Sequence, residues 1–314
     1  MPQTIVCVAG PTASGKTRLG VLLAQRYDGE IVSADSMQIY RGMTVGTAAP
    51  TAEEMEGVPH HMIGVADPWE SWSVARFTEM ADGCIRDILA RGKLPVLVGG
   101  TGLYLDALVR GTDFAAGNAR GETRAMLQSR VEQEGIAPLF EELRAIDPDA
   151  AAKLHLKDEK RIIRAMEIYL ETGETMTEHD RRTREIPPKY EALYLGLDFE
   201  SRDDLRERID RRVDLMVEQG LLQEVERLLA AGLPKDATAL QAIGYKQFLA
   251  VEEGSATIDQ AVEEVKLRSR QYAKRQLTWL RRNKDIHWFY WKKTPDFCAA
   301  LQNATEILTA EGLC

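Results

Sequence analysis

Residues Gly10 to Thr17 read GPTASGKT, which satisfies G-x-x-x-x-G-K-[ST]. Glycines at this spacing let the backbone curl until successive N–H groups face one anion. A following helix N-terminus adds partial positive charge, Lys16 bridges terminal phosphate oxygens, and Thr17 offers a hydroxyl to Mg²⁺. Gly10, Pro11, Thr12, Ala13, Ser14, Gly15, Lys16 and Thr17 are therefore the candidate residues for a di- or triphosphate, with Thr17 the metal ligand and Mg²⁺ the expected cofactor. An enzyme that hydrolyses a nucleotide pairs such a loop with an apolar strand ending in Asp. Here the apolar run Leu94–Val98 ends in Gly99-Gly100-Thr101, and only the run Glu30–Ala34 ends in an acid, Asp35. An aspartate at a strand end beside a phosphate loop serves proton abstraction or metal binding. The competing reading is a turn or cap residue.

The elements that must hold these groups are legible in the apolar spacing. Thr4–Ala9, Glu30–Ala34 and Leu94–Val98 read as buried strands, separated by a helix over Gly15–Tyr27 and another from an N-cap at Ser73 to Gly92. The fold class is α/β, a P-loop NTPase-like parallel sheet with helices on both faces. From Gly121 to Glu185 the pattern is helical only, broken by Pro138, Pro148 and Gly173 and closed by Pro187-Pro188. Ala192–Phe199 returns to a strand, and helices follow over Arg202–Gln219, Leu221–Ala231 and about 257–283. A last strand covers His287–Trp291 and a terminal helix Pro295–Ala310. The expected organisation is a catalytic core in two parts, 1–115 and 191–314, around an all-helical insertion at 116–190.

Composition narrows the class. The chain has 314 residues, 44% hydrophobic and 28% charged, enough to bury a core. Its apolar runs fall far short of the ~18 residues of a membrane span, and Met1-Pro2-Gln3 lacks the basic start of a secretory signal. The four cysteines form no Cys-x-x-Cys pair, which argues against a disulfide scaffold and for a reducing cytoplasm. Net charge is −9, yet Lys266–Lys293 holds ten Lys or Arg and one acid, Asp285. That stretch is a local basic footprint of +9, suited to a polyanion.

Several blocks together resemble the tRNA dimethylallyltransferases. They are Asp35-Ser36-Met37-Gln38-Ile39-Tyr40-Arg41, Gly46-Thr47-Ala48, Val58-Pro59-His60-His61, Gly99-Gly100-Thr101-Gly102-Leu103-Tyr104, RIIRAME at 161–167, RIDRRVDLM at 208–216, Ile243-Gly244-Tyr245-Lys246 and RQYAKRQLTW at 270–279. Their order spans nearly the whole chain. The resemblance implies transfer of the dimethylallyl group of dimethylallyl diphosphate to N6 of the adenosine immediately 3′ of the anticodon, with diphosphate leaving. It implies Asp35 as the base, Thr101 in the same reacting region, and Ser36, Met37 and Gln38 at an extruded nucleobase. The helical insertion matches the anticodon-loop domain of that family.

Candidate tRNA contacts are accordingly Asp35, Ser36, Met37, Gln38, Thr101, Arg124, Lys160, Arg161, Arg164, Lys274 and Arg275. For Lys160, Arg161 and Arg164 the spacing alone favours a solvated helix face alternating with Asp158, Glu159 and Glu167; only the family pattern reverses it. Arg208 and Arg212, four apart on one helix, approach the diphosphate or pair with Asp210 and Asp214. In the basic stretch the cations are candidates and the aromatic residues, Trp279 and the last strand among them, read as core. His60-His61 reads as structural, and the ten methionines as core filler. Two departures from the family pattern stand out: Ala49 where a lysine usually follows Gly-Thr-Ala, and FAAGNAR at 114–120 in place of a proline-rich approach to the insertion. The partners expected are tRNA and dimethylallyl diphosphate, with no membrane, and a monomer is the default. A prenyltransferase of free adenine nucleotides, a P-loop small-molecule kinase and a nucleotide-gated RNA-binding module are the alternatives.

Overall fold

The computed structural model describes residues 3–112 and 121–313. The expected boundary at 115/116 and the segment 114–120 lie outside the described residues. In chain order the elements are β1 (Gln3–Ala9), α1 (Lys16–Arg26), β2 (Gly29–Ala34), α2 (Ala52–Met55), β3 (His60–His61), α3 (Val74–Ala90), β4 (Leu94–Gly99) and α4 (Gly102–Arg110). Next come α5 (Glu122–Glu134), α6 (Ile136–Ile146), α7 (Pro148–Ala151), α8 (Glu159–Thr172) and α9 (Met176–Glu185). The chain then continues through β5 (Tyr190–Phe199), α10 (Arg202–Glu218), α11 (Leu221–Ala230), α12 (Tyr245–Glu252), α13 (Ile258–Leu280), β6 (Ile286–Trp291) and α14 (Phe297–Ala310).

The six strands form one sheet in the order β3-β2-β4-β1-β5-β6, every pair parallel. The pleat of β1 divides its side chains between two cores. Val6 and Val8 pack with Leu19, Leu23 and Val96 on the face that receives α1 and α14, while Ile5, Cys7 and Ala9 pack with Phe77, Ile85 and Leu105 on the face that receives α3 and α4. Each such buried aliphatic or aromatic side chain contributes about 1.5–3 kcal/mol. Ser73 caps α3 as its position predicts, its hydroxyl accepting from Arg76 N. A third core, around Ile39, Tyr40, Val213, Val225, Tyr245 and Phe248, joins α10 to α13.

Register explains why the candidate groups meet. Ala9 pairs with Gly99 and Gly99 with Ala34, so the three strands end abreast. The residues just past those ends, Gly10, Gly100-Thr101 and Asp35, emerge side by side. Gly99 permits this, because an added Cβ would run into the backbone of Ala34.

Two compact units divide the chain: 1–109 with 189–314, and 110–188. The second is helical throughout its described residues, around Leu127, Leu139, Phe140, Ile162 and Met166. Lys189 N donates to Val109 O, and β5 begins at Tyr190, so the sheet resumes just before the expected boundary at 190. The short α2, α4, α12 and the edge strand β3 left no periodic signal strong enough to read from sequence. Helix α13 ends at Leu280 rather than Asn283 and is about 35 Å long.

Candidate functional site

The phosphate loop joins β1 to α1 with two residues in the left-handed region, Ala13 at φ 63° and Gly15 at φ 88°. At Gly15 a side chain would meet Phe297 at 2.8 Å, and at Gly10 it would meet the Leu197 carbonyl and the Ser14 hydroxyl at 2.6 and 2.7 Å. The Ser14 hydroxyl is buried and has no partner among the described residues. No side chain caps the N-terminus of α1, which leaves it open to an anion. Elements far away in sequence brace the loop. Thr12 N donates to Gln276 Oε1 at 2.8 Å, Gln276 Nε2 donates to Gly100 O at 3.0 Å, and Trp291 Nε1 donates to Ser14 O at 2.8 Å.

Three cations converge on this loop. Lys16 Nζ donates to Pro11 O at 2.6 Å, Arg208 Nε to Ala13 O at 3.2 Å, and Arg212 to Thr12 Oγ1 and to Ala48 O, both at 3.3 Å. None has a carboxylate within ion-pair distance among the described residues. Burial, then the neighbouring Arg212 charge, pushes Lys16 down to about 7 against the pull of Asp35. Burial likewise lowers Arg208 and Arg212. Asp210 and Asp214 pair elsewhere, with Arg270 at 2.6 Å and Lys266 at 2.7 Å. Of the two placements open to Arg208 and Arg212, the fold selects the one at the loop.

Asp35 is both turn residue and open carboxylate. Its Oδ1 accepts from Met37 N at 2.8 Å and Gln38 N at 3.3 Å, while Oδ2 accepts no hydrogen bond among the described residues. Thr101 Oγ1 accepts from Ser36 N at 3.4 Å, so Asp35, Ser36 and Thr101 share one cluster. Tyr272 stands in the same cluster. Burial and then the Asp35 charge push its hydroxyl up to about 12, against Thr101, Arg275 and Gln276. Gln38 has its amide committed: Oε1 accepts from Ser33 Oγ at 3.0 Å and Nε2 donates to Thr47 O and Ala48 O at 3.4 and 3.2 Å. Gln276 escaped the sequence reading, and Tyr272 and Trp291 were read there as core alone. Gln276 and Tyr272 both sit inside the RQYAKRQLTW block, where only the cations were taken as contact candidates.

Towards a metal ion the loop offers one hard oxygen, the Thr17 hydroxyl. The Thr17 hydroxyl is half-buried and without a hydrogen-bond partner among the described residues, and no cluster of three or more His, Cys, Asp or Glu is poised to hold a metal there. Such a site fits Mg²⁺ completed by phosphate oxygens, the usual habit of that ion. His60 and His61 are structural. His60 Nδ1 lies 2.8 Å from Val58 O, and His61 Nε2 lies 2.8 Å from a Glu30 carboxylate that also binds Arg91 and Lys93.

In the helical unit, Glu167 gathers two of the expected RNA contacts. Arg124 and Arg164 both donate to its Oε2, at 2.6 and 2.7 Å. Burial raises the Glu167 carboxyl, and the two guanidiniums together outweigh it and hold it below the usual range. Lys160 and Arg161, in the first turn of α8, are exposed and in no ion pair among the described residues. The basic stretch is also thinner than its arithmetic. Lys266, Arg268, Arg270 and Arg281 are matched by Asp214, Glu264, Asp210 and Asp198. Six cations have no ion pair among the described residues, Lys274, Arg275, Arg282, Lys284, Lys292 and Lys293, and the first three line with Gln271, Thr278 and Trp279 an open groove of about 500 Å³. Arg282 lies 5.1 Å from the Trp279 ring, whose Nε1 donates to Asp106 at 2.7 Å. Trp291 is buried as expected, whereas Trp279, also expected in the core, is only half-buried at that groove and Tyr290 in the last strand is exposed.

The chain is similar to known proteins along nearly its whole length. A family model described as IPP transferase matches residues 38–283, and one described as isopentenyl transferase matches residues 3–63. The tRNA dimethylallyltransferase of Halalkalibacterium halodurans is 47% identical over 289 residues, 92% of this chain and 91% of that one. Its counterpart in Acetivibrio thermocellus is 43% identical over 286 residues, 91% of each. The crystal structure of the full-length tRNA isopentenylpyrophosphate transferase from Bacillus halodurans is 41% identical with a TM-score of 0.74, covering 99% of this chain and 96% of that chain. A eukaryotic dimethylallyltransferase, solved acting on tRNA, gives a TM-score of 0.78 at 31% identity, covering 97% and 77%.

Proposed function

The chain belongs to the tRNA dimethylallyltransferase family, and from that premise we propose that it moves the dimethylallyl group of dimethylallyl diphosphate to N6 of the adenosine 3′ to the anticodon of tRNA. The observation that supports this best is the junction of three strand ends: a phosphate loop crowded by cations lacking acid partners, beside Asp35 with an open Oδ2 and beside Thr101. A hydrolase needs a positioned water. A transferase needs an anion site next to a base, and these residues supply one.

In this reading the allylic C–O bond breaks and its electron pair leaves with diphosphate. The loop N–H groups, Lys16, Arg208 and Arg212 stabilise that growing charge. N6 attacks the allylic carbon, becomes acidic as the N–C bond forms, and gives its proton to Asp35 Oδ2. Thr17 would hold Mg²⁺, which neutralises diphosphate charge when bound. Thr101 and the Ser36–Gln38 turn place the base, and Lys160, Arg161, Lys274 and Arg275 take phosphates of the RNA. A monomer acting in the cytoplasm is part of the reading, and the loop recognises phosphate geometry more than the group attached to it.

Radiolabelled dimethylallyl diphosphate with Mg²⁺ and unmodified tRNA, AMP or no acceptor tests the proposal. Label is expected in tRNA. Label in AMP alone would establish a free-nucleotide enzyme, and label in neither would leave a kinase or a binding module.

A further inference from the structure

Between the Ser36–Gln38 turn and α2, residues 42–48 form no regular element, yet they touch both halves of the site. The Ala48 carbonyl accepts from Gln38 Nε2 at 3.2 Å and from Arg212 at 3.3 Å. Ala48 itself sits at φ 45°, a left-handed value that side chains rarely adopt without support.

The support comes from Glu224 on α11, 6% exposed. Its carboxylate accepts from Thr44 N at 2.9 Å, Val45 N at 3.0 Å, Gly46 N at 3.0 Å, Thr44 Oγ1 at 3.2 Å and the Tyr245 hydroxyl. Three successive N–H groups closing on one anion make a nest, the device the phosphate loop uses for its ligand. In this second nest the anion is the protein's own. Gly46 is required, because an added Cβ would meet the Tyr245 ring at 2.5 Å and Leu221 at 2.7 Å. Arg227, one turn along α11, holds the Gly42 carbonyl.

We propose that Glu224 is a positioning residue for group transfer, acting through the 42–48 segment on Arg212 and Gln38. Fixing the segment fixes the Ala48 carbonyl, and that carbonyl orients the Arg212 guanidinium towards the phosphate loop and the Gln38 amide towards the turn. Glu224→Gln keeps the shape but turns an NH₂ group towards N–H donors, so it loosens the segment while sparing the apolar packing around it. The inference rests on the functional reading proposed for the chain.

The test is steady-state transfer of labelled dimethylallyl groups to tRNA by the full chain as wild type, Glu224→Gln and Tyr245→Phe. Absence of transfer by the wild type would sink the functional reading alone. With an active wild type, Glu224→Gln is expected to lower kcat/KM for the diphosphate donor about 10²-fold, with tRNA affinity by filter binding within about twofold. Tyr245→Phe, which removes one donor, should cost about 3- to 10-fold. In an Arg212→Lys background the further loss from Glu224→Gln should shrink below about 3-fold, since both changes act on one guanidinium. Losses that multiply in the double variant, an unchanged kcat/KM, or a loss that merely tracks the unfolded fraction by circular dichroism each overturn the proposal. If Glu224→Gln fails to fold, Tyr245→Phe and Thr44→Ala decide: several-fold losses support it, and none overturns it.

Discussion

At the phosphate loop, Lys16, Arg208 and Arg212 donate to carbonyls and one hydroxyl; in the helical unit, Arg124 and Arg164 close on the buried carboxylate of Glu167. Partly buried cations without counter-ions cost several kcal/mol of desolvation, a cost the fold sustains only where an anion arrives to offset it. Paired cations carry little net charge to offer. The same residue type is thus left without an acid partner in one region and locked to a carboxylate in the other, and the distinction lies in which acids the fold brings near.

One pair of substitutions separates the two regions sharply. Arg212→Met should lower kcat/KM for the diphosphate donor by about 10²-fold or more, while Arg164→Met changes it less than about 3-fold in the same steady-state assay. Equal losses would erase the contrast. A tenfold-scale effect concerns Lys16. Burial and the Arg212 charge push it down to about 7, so donor binding above that pH should bring a proton with it. Diphosphate affinity should fall by up to about tenfold per unit from pH 7 to 9, with proton uptake visible by calorimetry in buffers of different ionisation enthalpy and absent in Lys16→Met. The folding linkage has a definite sign. Lysine ordinarily titrates at 10.5, so between about 7 and 10.5 the unfolded chain holds the extra proton, and this group adds stability as pH rises through that window. RNA binding should respond least. Neutralising Lys160 and Arg161 together should reduce the salt slope of tRNA binding by roughly 1.5 to 2 counterions, and neutralising Arg124 and Arg164 by less than about one. The reverse order would mean that Glu167 releases its partners to the RNA.

Much of this was legible in the chain itself. The phosphate loop is a contiguous motif whose glycines answer to local geometry, and the three buried strands announce themselves as apolar runs bounded by Gly or Asp. Asp35 drew notice because it ends such a strand, and Thr101 because it stands in a block that resembles the family. The bracing groups were not legible. Gln276 reaches Thr12 across 264 positions and Glu224 reaches Thr44 across 180, and no periodicity within a helix records what its polar face will meet. Charge counting failed for the same reason. The +9 of the basic stretch ignored Asp198, Asp210 and Asp214, which lie outside it in sequence and against it in space. Nor does the sequence pattern record that Arg124 and Arg164, candidate RNA contacts by resemblance, share the Glu167 carboxylate.

In the proposed reaction, Asp35 takes the N6 proton while the phosphate loop holds the departing diphosphate. Single-turnover transfer by Asp35→Ala with saturating labelled donor, alongside tRNA affinity by filter binding, isolates that step from product release. A rate reduced by about 10²-fold or more with tRNA affinity nearly intact is the predicted result. A rate that survives while tRNA affinity collapses would contradict it and leave Asp35 a binding residue.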